Sequence, residues 1–212
     1  MKRAQVSPER PGWLARLADP WEEQVLAAAF DAFATRGFDG AAMSEIAAAA
    51  GVSKRTIYER YTDKAGLFRA LLAWGCRGNL PDADPPADGD PVDALKDHAE
   101  AVLAALMRPE SIGLFRIVVA ATPRFPEVGA LFDDMTRSAS ARIVMVLYRR
   151  LKKAGLVAGG TAESFSADFI GLLRGDHFFR TAIGAADPLP QENVRAEARR
   201  AMQILLNAYR KA

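Results

Sequence analysis

From Asp19 to the C-terminus the apolar residues recur three and four positions apart, and nowhere do they alternate between turn residues as a half-buried strand requires. That regularity confines the chain to an all-α fold, because a helix apolar along one stripe must be covered by other helices. Val25, Leu26, Ala29, Phe30 and Phe33 set the first stripe. Asp19 opens it as a cap, with Pro20 at the first helical position and Glu22 and Glu23 in the first turn, and Gly37 stops it. Met43 to Ala50 and Lys54 to Tyr61 read as two short helices, the first ended by Gly51 and the second capped by Ser53. Asp63 caps the next, whose apolar positions are Leu67, Phe68, Leu71, Leu72 and Trp74. Past a Pro- and Asp-rich linker, Leu80 to Pro91, the helical period continues over Val92 to Met107, Glu110 to Ala121, Pro126 to Ala154, Thr161 to Ile183 and Gln191 to Arg210. About nine helices are expected in total.

Composition narrows the function. Half of the 212 residues are apolar, enough for a real core, and a net charge of +2 excludes a protein that holds nucleic acid by bulk charge. Any nucleic-acid site must therefore be local. The longest apolar run, Ala101 to Met107, is seven residues, far short of the roughly 20 that span a bilayer, so no membrane partner is expected. No apolar stretch follows Met1-Lys2-Arg3 in a basic N-terminal arm, and the single cysteine, Cys76, forms no internal disulfide; a cytoplasmic protein is expected. His98 and His177 have no Gly-rich elbow or nucleophile motif nearby, so neither an enzyme nor a cofactor site is expected. An EF-hand loop begun at Asp84 puts Gly89 at its sixth place but Pro86 and Leu95 where ligands are needed, so no metal site is expected either. Cys76, beside Arg77 alone, makes a poor redox switch.

The segment Met43 to Tyr61 carries the most specific signal. Two short helices that cross steeply need a small residue where they approach and one tolerant of positive φ in the turn, and Ala47 and Gly51 supply these. Ile46, Val52 and Ile57 fill the wedge. With Ile57 and Tyr61 facing inward, Lys54, Arg55, Tyr58 and Glu59 are left outward on the second helix. Arg pairs bidentately with guanine O6 and N7, Lys and Tyr reach phosphates, and the helix N-terminus with the Ser53 and Thr56 hydroxyls suits a phosphate oxygen. Spacing alone also admits an ordinary helical hairpin with a solvated charged face. Glu59 either accepts from cytosine N4 or pairs with Arg55 one turn earlier.

Gly37-Phe38, Met43-Ser44-Glu45-Ile46-Ala47, Ala50-Gly51-Val52-Ser53, Thr56-Ile57-Tyr58, Tyr61 and Lys64-Ala65-Gly66-Leu67-Phe68 together resemble the N-terminal domain of the TetR family of bacterial transcriptional repressors. The resemblance implies a basic arm over 1–18, a three-helix helix-turn-helix DNA-binding domain over 19–62, and an effector-binding and dimerisation domain over 63–212. It implies a homodimer on double-stranded operator DNA. Carried over by position, Ser44, Lys54, Arg55, Tyr58, Glu59 and Arg60 fall at groove-facing places, and Ser53, Thr56, Tyr58 and Lys64 at phosphate-contacting ones. The family often has Thr where this chain has Ala42, which can neither cap nor donate; Ser44 is the alternative cap.

A weaker resemblance, through Leu114-Phe115-Arg116, Pro123-Arg124-Phe125-Pro126-Glu127 and Leu172-Leu173-Arg174-Gly175-Asp176, points to an AefR-like C-terminal domain. It implies an effector cavity among the central helices, for which Leu103, Met107, Phe115, Val119, Phe132, Met135, Phe169, Leu173, Arg174 and His177 are candidates, each also readable as plain core. So few polar candidates suggest an aromatic or amphipathic organic effector with one hydrogen bond from His177 or Arg174. Arg174 and Asp176 alternatively pair with each other, and Gly175 between them suggests close approach of another helix. Phe178 and Phe179 on the penultimate helix, with Val194, Ala198, Met202, Leu205 and Tyr209 on the last, are the expected dimer face. The competing function is a helical small-molecule-binding or structural dimer that no longer reads DNA.

Overall fold

The structure, a computed structural model, describes residues 19–77 and 89–210, without the side chains of 76, 77 and 137–139. The N-terminal arm, most of the linker with the EF-hand test on it, and the Cys76 thiol lie outside the described residues. Nine helices and no strand are found among those described: α1 (Pro20–Gly40), α2 (Met43–Ala49), α3 (Lys54–Tyr61), α4 (Lys64–Arg77), α5 (Pro91–Leu106), α6 (Pro109–Ala121), α7 (Pro126–Lys153), α8 (Ala162–Ala182) and α9 (Gln191–Ala208). The caps account for the starts. Asp19 accepts from Trp21 N at 2.9 Å, Asp90 from Val92 N at 2.7 Å, and Thr161 and Ser164 close a reciprocal capping box. Gly37, at φ 71 and ψ 171, breaks the helical path of α1 where the sequence placed its stop. No helix among the described residues is long and apolar enough to cross a membrane.

Two compact units share the chain. The first joins 19–77 with 113–132, the second 89–112 with 133–210, so α6 and α7 each run from one unit into the other. This division differs from a boundary at 62/63: α4 stays with the helices before it, and 113–132 fold onto them. The core of the first unit is aromatic. Phe33, Phe38 and Phe68 meet with ring centroids 5.2–5.5 Å apart, and Phe125 meets Phe38 at 4.8 Å. Arg124 pairs with Asp39 beside this cluster.

In the second unit α9 packs on α5 and α8. Its stripe of Val194, Ala198, Met202, Leu205 and Tyr209 is buried within the single chain, which corrects its reading as a dimer face: those side chains have already left water against their own helices. Phe178 is buried too, whereas Phe179 is 60% exposed. Gly175 also departs from expectation. No atom lies within 4 Å of where its Cβ would stand; instead it takes φ 38 and ψ −159 and kinks α8, a backbone that costs a side-chain-bearing residue strain. Asp176 lies 3.8 Å from Arg180, one turn on.

The effector candidates divide between the units. Phe115, Val119 and Phe132 belong to the first, where Phe115 and Phe132 meet at 6.2 Å. Leu103, Met107, Met135, Phe169, Leu173, Arg174 and His177 belong to the second. Leu103, Met107, Phe169 and Leu173 are buried, and Phe115, Phe132, Met135 and Arg174 half-buried. Val119 and His177 are surface residues, so neither is placed to line an interior cavity. The buried imidazole is His98. Its Nε2 lies 3.2 Å from Ser140 Oγ, its ring stacks on Phe169 at 5.7 Å, and burial lowers its pKa to about 4.

Candidate nucleic-acid interface

The turn between α2 and α3 is fixed from within. Val52 N donates to Ala47 O at 3.0 Å, Gly51 takes φ 66, and Ile46 and Ile57 are wholly buried in the wedge with Val52 half-buried at its edge. Ser53 then caps α3. Its Oγ accepts from Thr56 N at 3.0 Å and bonds Thr56 Oγ1 at 2.7 Å, so both hydroxyls hold set positions at the start of the helix. Ile57 and Tyr61 bury the inner face and leave Lys54, Arg55, Thr56, Tyr58, Glu59 and Arg60 exposed.

Two pairs one turn apart organise that outward surface. Arg55 Nε donates to Glu59 Oε1 at 2.7 Å, the arrangement in which the carboxylate aims the guanidinium. Lys54 Nζ stands 5.6 Å from the centre of the Tyr58 ring. With the Arg55 side chain 87% exposed, its ion pair contributes little to stability; what it supplies is orientation. A forked donor and an ammonium-over-ring pair at the start of a capped helix match the chemistry of base-edge and phosphate recognition.

Three expected residues are placed differently. Ser44 is exposed on α2 but does not cap it; Ala42 occupies the cap with no side-chain bond, and Glu45 in the first turn supplies negative charge there instead. Arg36 hydrogen-bonds Glu45 and holds its carboxyl below the ordinary range. Lys64, expected at a phosphate, donates to Asp39 O at 3.1 Å and Ala41 O at 3.2 Å, and sits 4.9 Å from the Phe38 ring centre. The reason is position: the first turn of α4 lies beside the end of α1, whose carbonyls need donors. Arg60, expected at the groove, lies 3.9 Å from Glu22 of α1.

Sequence reasoning missed Glu22 as part of this surface. Its only local signal was an acid in the first turn of a helix, and its partners Arg60 and Tyr61 are almost forty positions away.

Comparison with known proteins agrees with this geometry. Residues 25–71 match the bacterial regulatory proteins of the tetR family, and residues 93–211, more than half of the chain, match the AefR-like transcriptional repressor, C-terminal domain. Over 49 residues the chain is 45% identical to the HTH-type transcriptional activator FasR of Mycolicibacterium smegmatis (strain ATCC 700084 / mc(2)155), a match covering 23% of this chain and only 22% of that relative. Among solved structures, the Flavonoid-responsive Regulator FrrA is 26% identical with a TM-score of 0.72, covering 90% of this chain and 97% of that one. A TetR family transcriptional regulator from Pseudomonas syringae pv. tomato str. DC3000 is also 26% identical, with a TM-score of 0.71 and coverage of 91% and 98%. The chain belongs to the TetR family of helix-turn-helix transcriptional regulators, with an AefR-like C-terminal domain.

Proposed function

We propose that the protein is a repressor that binds a palindromic operator as a homodimer and releases it when a small aromatic or amphipathic effector enters the C-terminal part of the chain. The observation that carries the reading is the outward face of α3, where Arg55 is oriented by Glu59 and Lys54 by Tyr58 on a helix anchored by Ile57 and Tyr61. Dimerisation is supported by apolar residues left in water: Phe179 at 60% and Ile183 at 61% on and just after α8, and Ile204 at 43% on α9. The effector class is supported by the apolar, aromatic character of the candidates in the second unit and by the flavonoid response in the name of one structural neighbour.

Coupling follows from connectivity. Only two residues separate α3 from α4, so a tilt of α4 alters the separation of two recognition helices in a dimer. Half-sites lie a fixed helical repeat apart, and losing that register loses specific binding. The test is a footprint on the DNA flanking the coding region, followed by operator titration with and without aromatic compounds that raise the protein's melting temperature. A protected palindrome, with effector and operator weakening each other by the same factor, is expected. No protected site overturns the reading in favour of a dimer that does not read DNA, and independent binding overturns the coupling.

A further inference from the structure

We propose that Glu22 is a positioning residue, which holds Arg60 and Tyr61 at the C-terminal end of α3 and so keeps the Arg60 guanidinium off the DNA backbone, limiting sequence-independent binding. The inference rests on α3 being the DNA-reading helix.

α3 is eight residues long and buries only Ile57 and Tyr61, so the placement of its C-terminal end depends on Tyr61. That tyrosine is held from α1. Its ring lies parallel to Trp21, 7° apart in plane and 6.2 Å between centroids, and its hydroxyl donates to Glu22 Oε1 at 3.3 Å. Arg60 Nη2 lies 3.9 Å from the same oxygen. The Glu22 side chain is 12% exposed, whereas that of Glu59 on the outward face is 60% exposed. A carboxylate so far removed from water requires positive charge and donors, and here Arg60 and the Tyr61 hydroxyl supply them. The turn bearing Glu22 is itself fixed, with Pro20 at the first helical position and the Asp19 carboxylate bonded to Trp21 N.

The consequence is electrostatic bookkeeping at the DNA surface. α3 carries Lys54, Arg55 and Arg60 against Glu59. A free guanidinium at the helix end adds a phosphate contact that strengthens binding to every sequence alike, and so raises sequence-independent affinity and its salt dependence. Glu22 withdraws that contact while fixing the helix from which Arg55 reads.

Glu22→Gln keeps an acceptor for the Tyr61 hydroxyl but removes the charge that holds Arg60. The experiment measures binding of the full chain, E22Q, R60A and the double variant to the footprinted operator and to a random duplex over a range of salt, with melting curves on each. E22Q is expected to steepen the salt dependence on random duplex by about 0.9 per protomer, so that a fourfold drop in salt strengthens its binding about 3.5-fold more than wild type per protomer. Its affinity rises on operator and random duplex alike, so their ratio stays near that of wild type. R60A alone leaves the salt slope near wild type, and added to E22Q restores it, a non-additivity that a merely structural role for Glu22 does not produce. If E22Q instead weakens both duplexes in proportion to its lowered melting temperature, or R60A fails to restore the double variant, the proposal is overturned. A wild-type chain that discriminates, with E22Q unchanged in slope and affinity, overturns this proposal alone; a wild-type chain that prefers no duplex overturns the α3 reading as well.

Discussion

Lys64 places its ammonium 4.9 Å from the Phe38 ring centre and donates to two carbonyls at the end of α1. It thus joins α4 to α1 by charge-assisted bonds over an aromatic face. Lys64→Ala is expected to lower unfolding stability by about 2 kcal/mol. Chemical denaturation reads this directly, and an unchanged midpoint contradicts the internal role. His98 makes a second prediction at this scale. Burial holds its folded-state pKa at about 4, against 6.5 in the unfolded chain. Below pH 6.5 the unfolded chain therefore binds a proton that the folded chain does not take up until about pH 4, and stability falls as the pH is lowered through that window. The loss approaches about 3 kcal/mol by pH 4. Denaturation midpoints of wild type and His98→Asn over that range test it: the variant should lack this part of the slope, and identical slopes would contradict the burial argument.

At the scale of elements, the joint between α3 and α4 is the most constrained. Thr62 sits at φ 65 and ψ −51, with Asp63 N donating to Tyr61 O at 2.7 Å across it, a γ-turn with positive φ that a β-branched residue adopts only under constraint. Gly66 closes the joint, because a Cβ there would stand 1.9 Å from Tyr61 O. Gly66→Ala must displace that backbone, and is expected to cost about 2 kcal/mol or more and to weaken operator binding beyond the stability loss. A variant with wild-type melting and binding would show the joint to be slack. This joint also marks the limit of what the sequence discloses. The caps at Asp19, Ser53 and Asp63, the turn at Gly51 and the outward face of α3 were legible because each is set by residues within about one helical turn. Which face of α9 meets its own chain was not, since an amphipathic stripe fits a neighbouring helix and a second subunit equally well. Nor were the Glu22–Arg60 pair and the Lys64 contacts, which join helices distant in sequence. Gly175 was legible as an anomaly but not as a kink, because close approach and positive φ both call for glycine.

For the whole molecule, a net charge of +2 distributed over 212 residues leaves little for long-range attraction to DNA. Affinity must come from the small face of α3, doubled by dimerisation, and selectivity from the few groups aimed on it. Arg55, oriented by Glu59, is the group proposed to read a base. The most direct test is to measure wild type and Arg55→Ala on the footprinted operator and on random duplex at one salt concentration. Arg55→Ala is expected to lose about 1–3 kcal/mol of operator binding, to relax preference at one base pair of each half-site, and to bind random duplex nearly as well as wild type. Equal losses on both duplexes would contradict it.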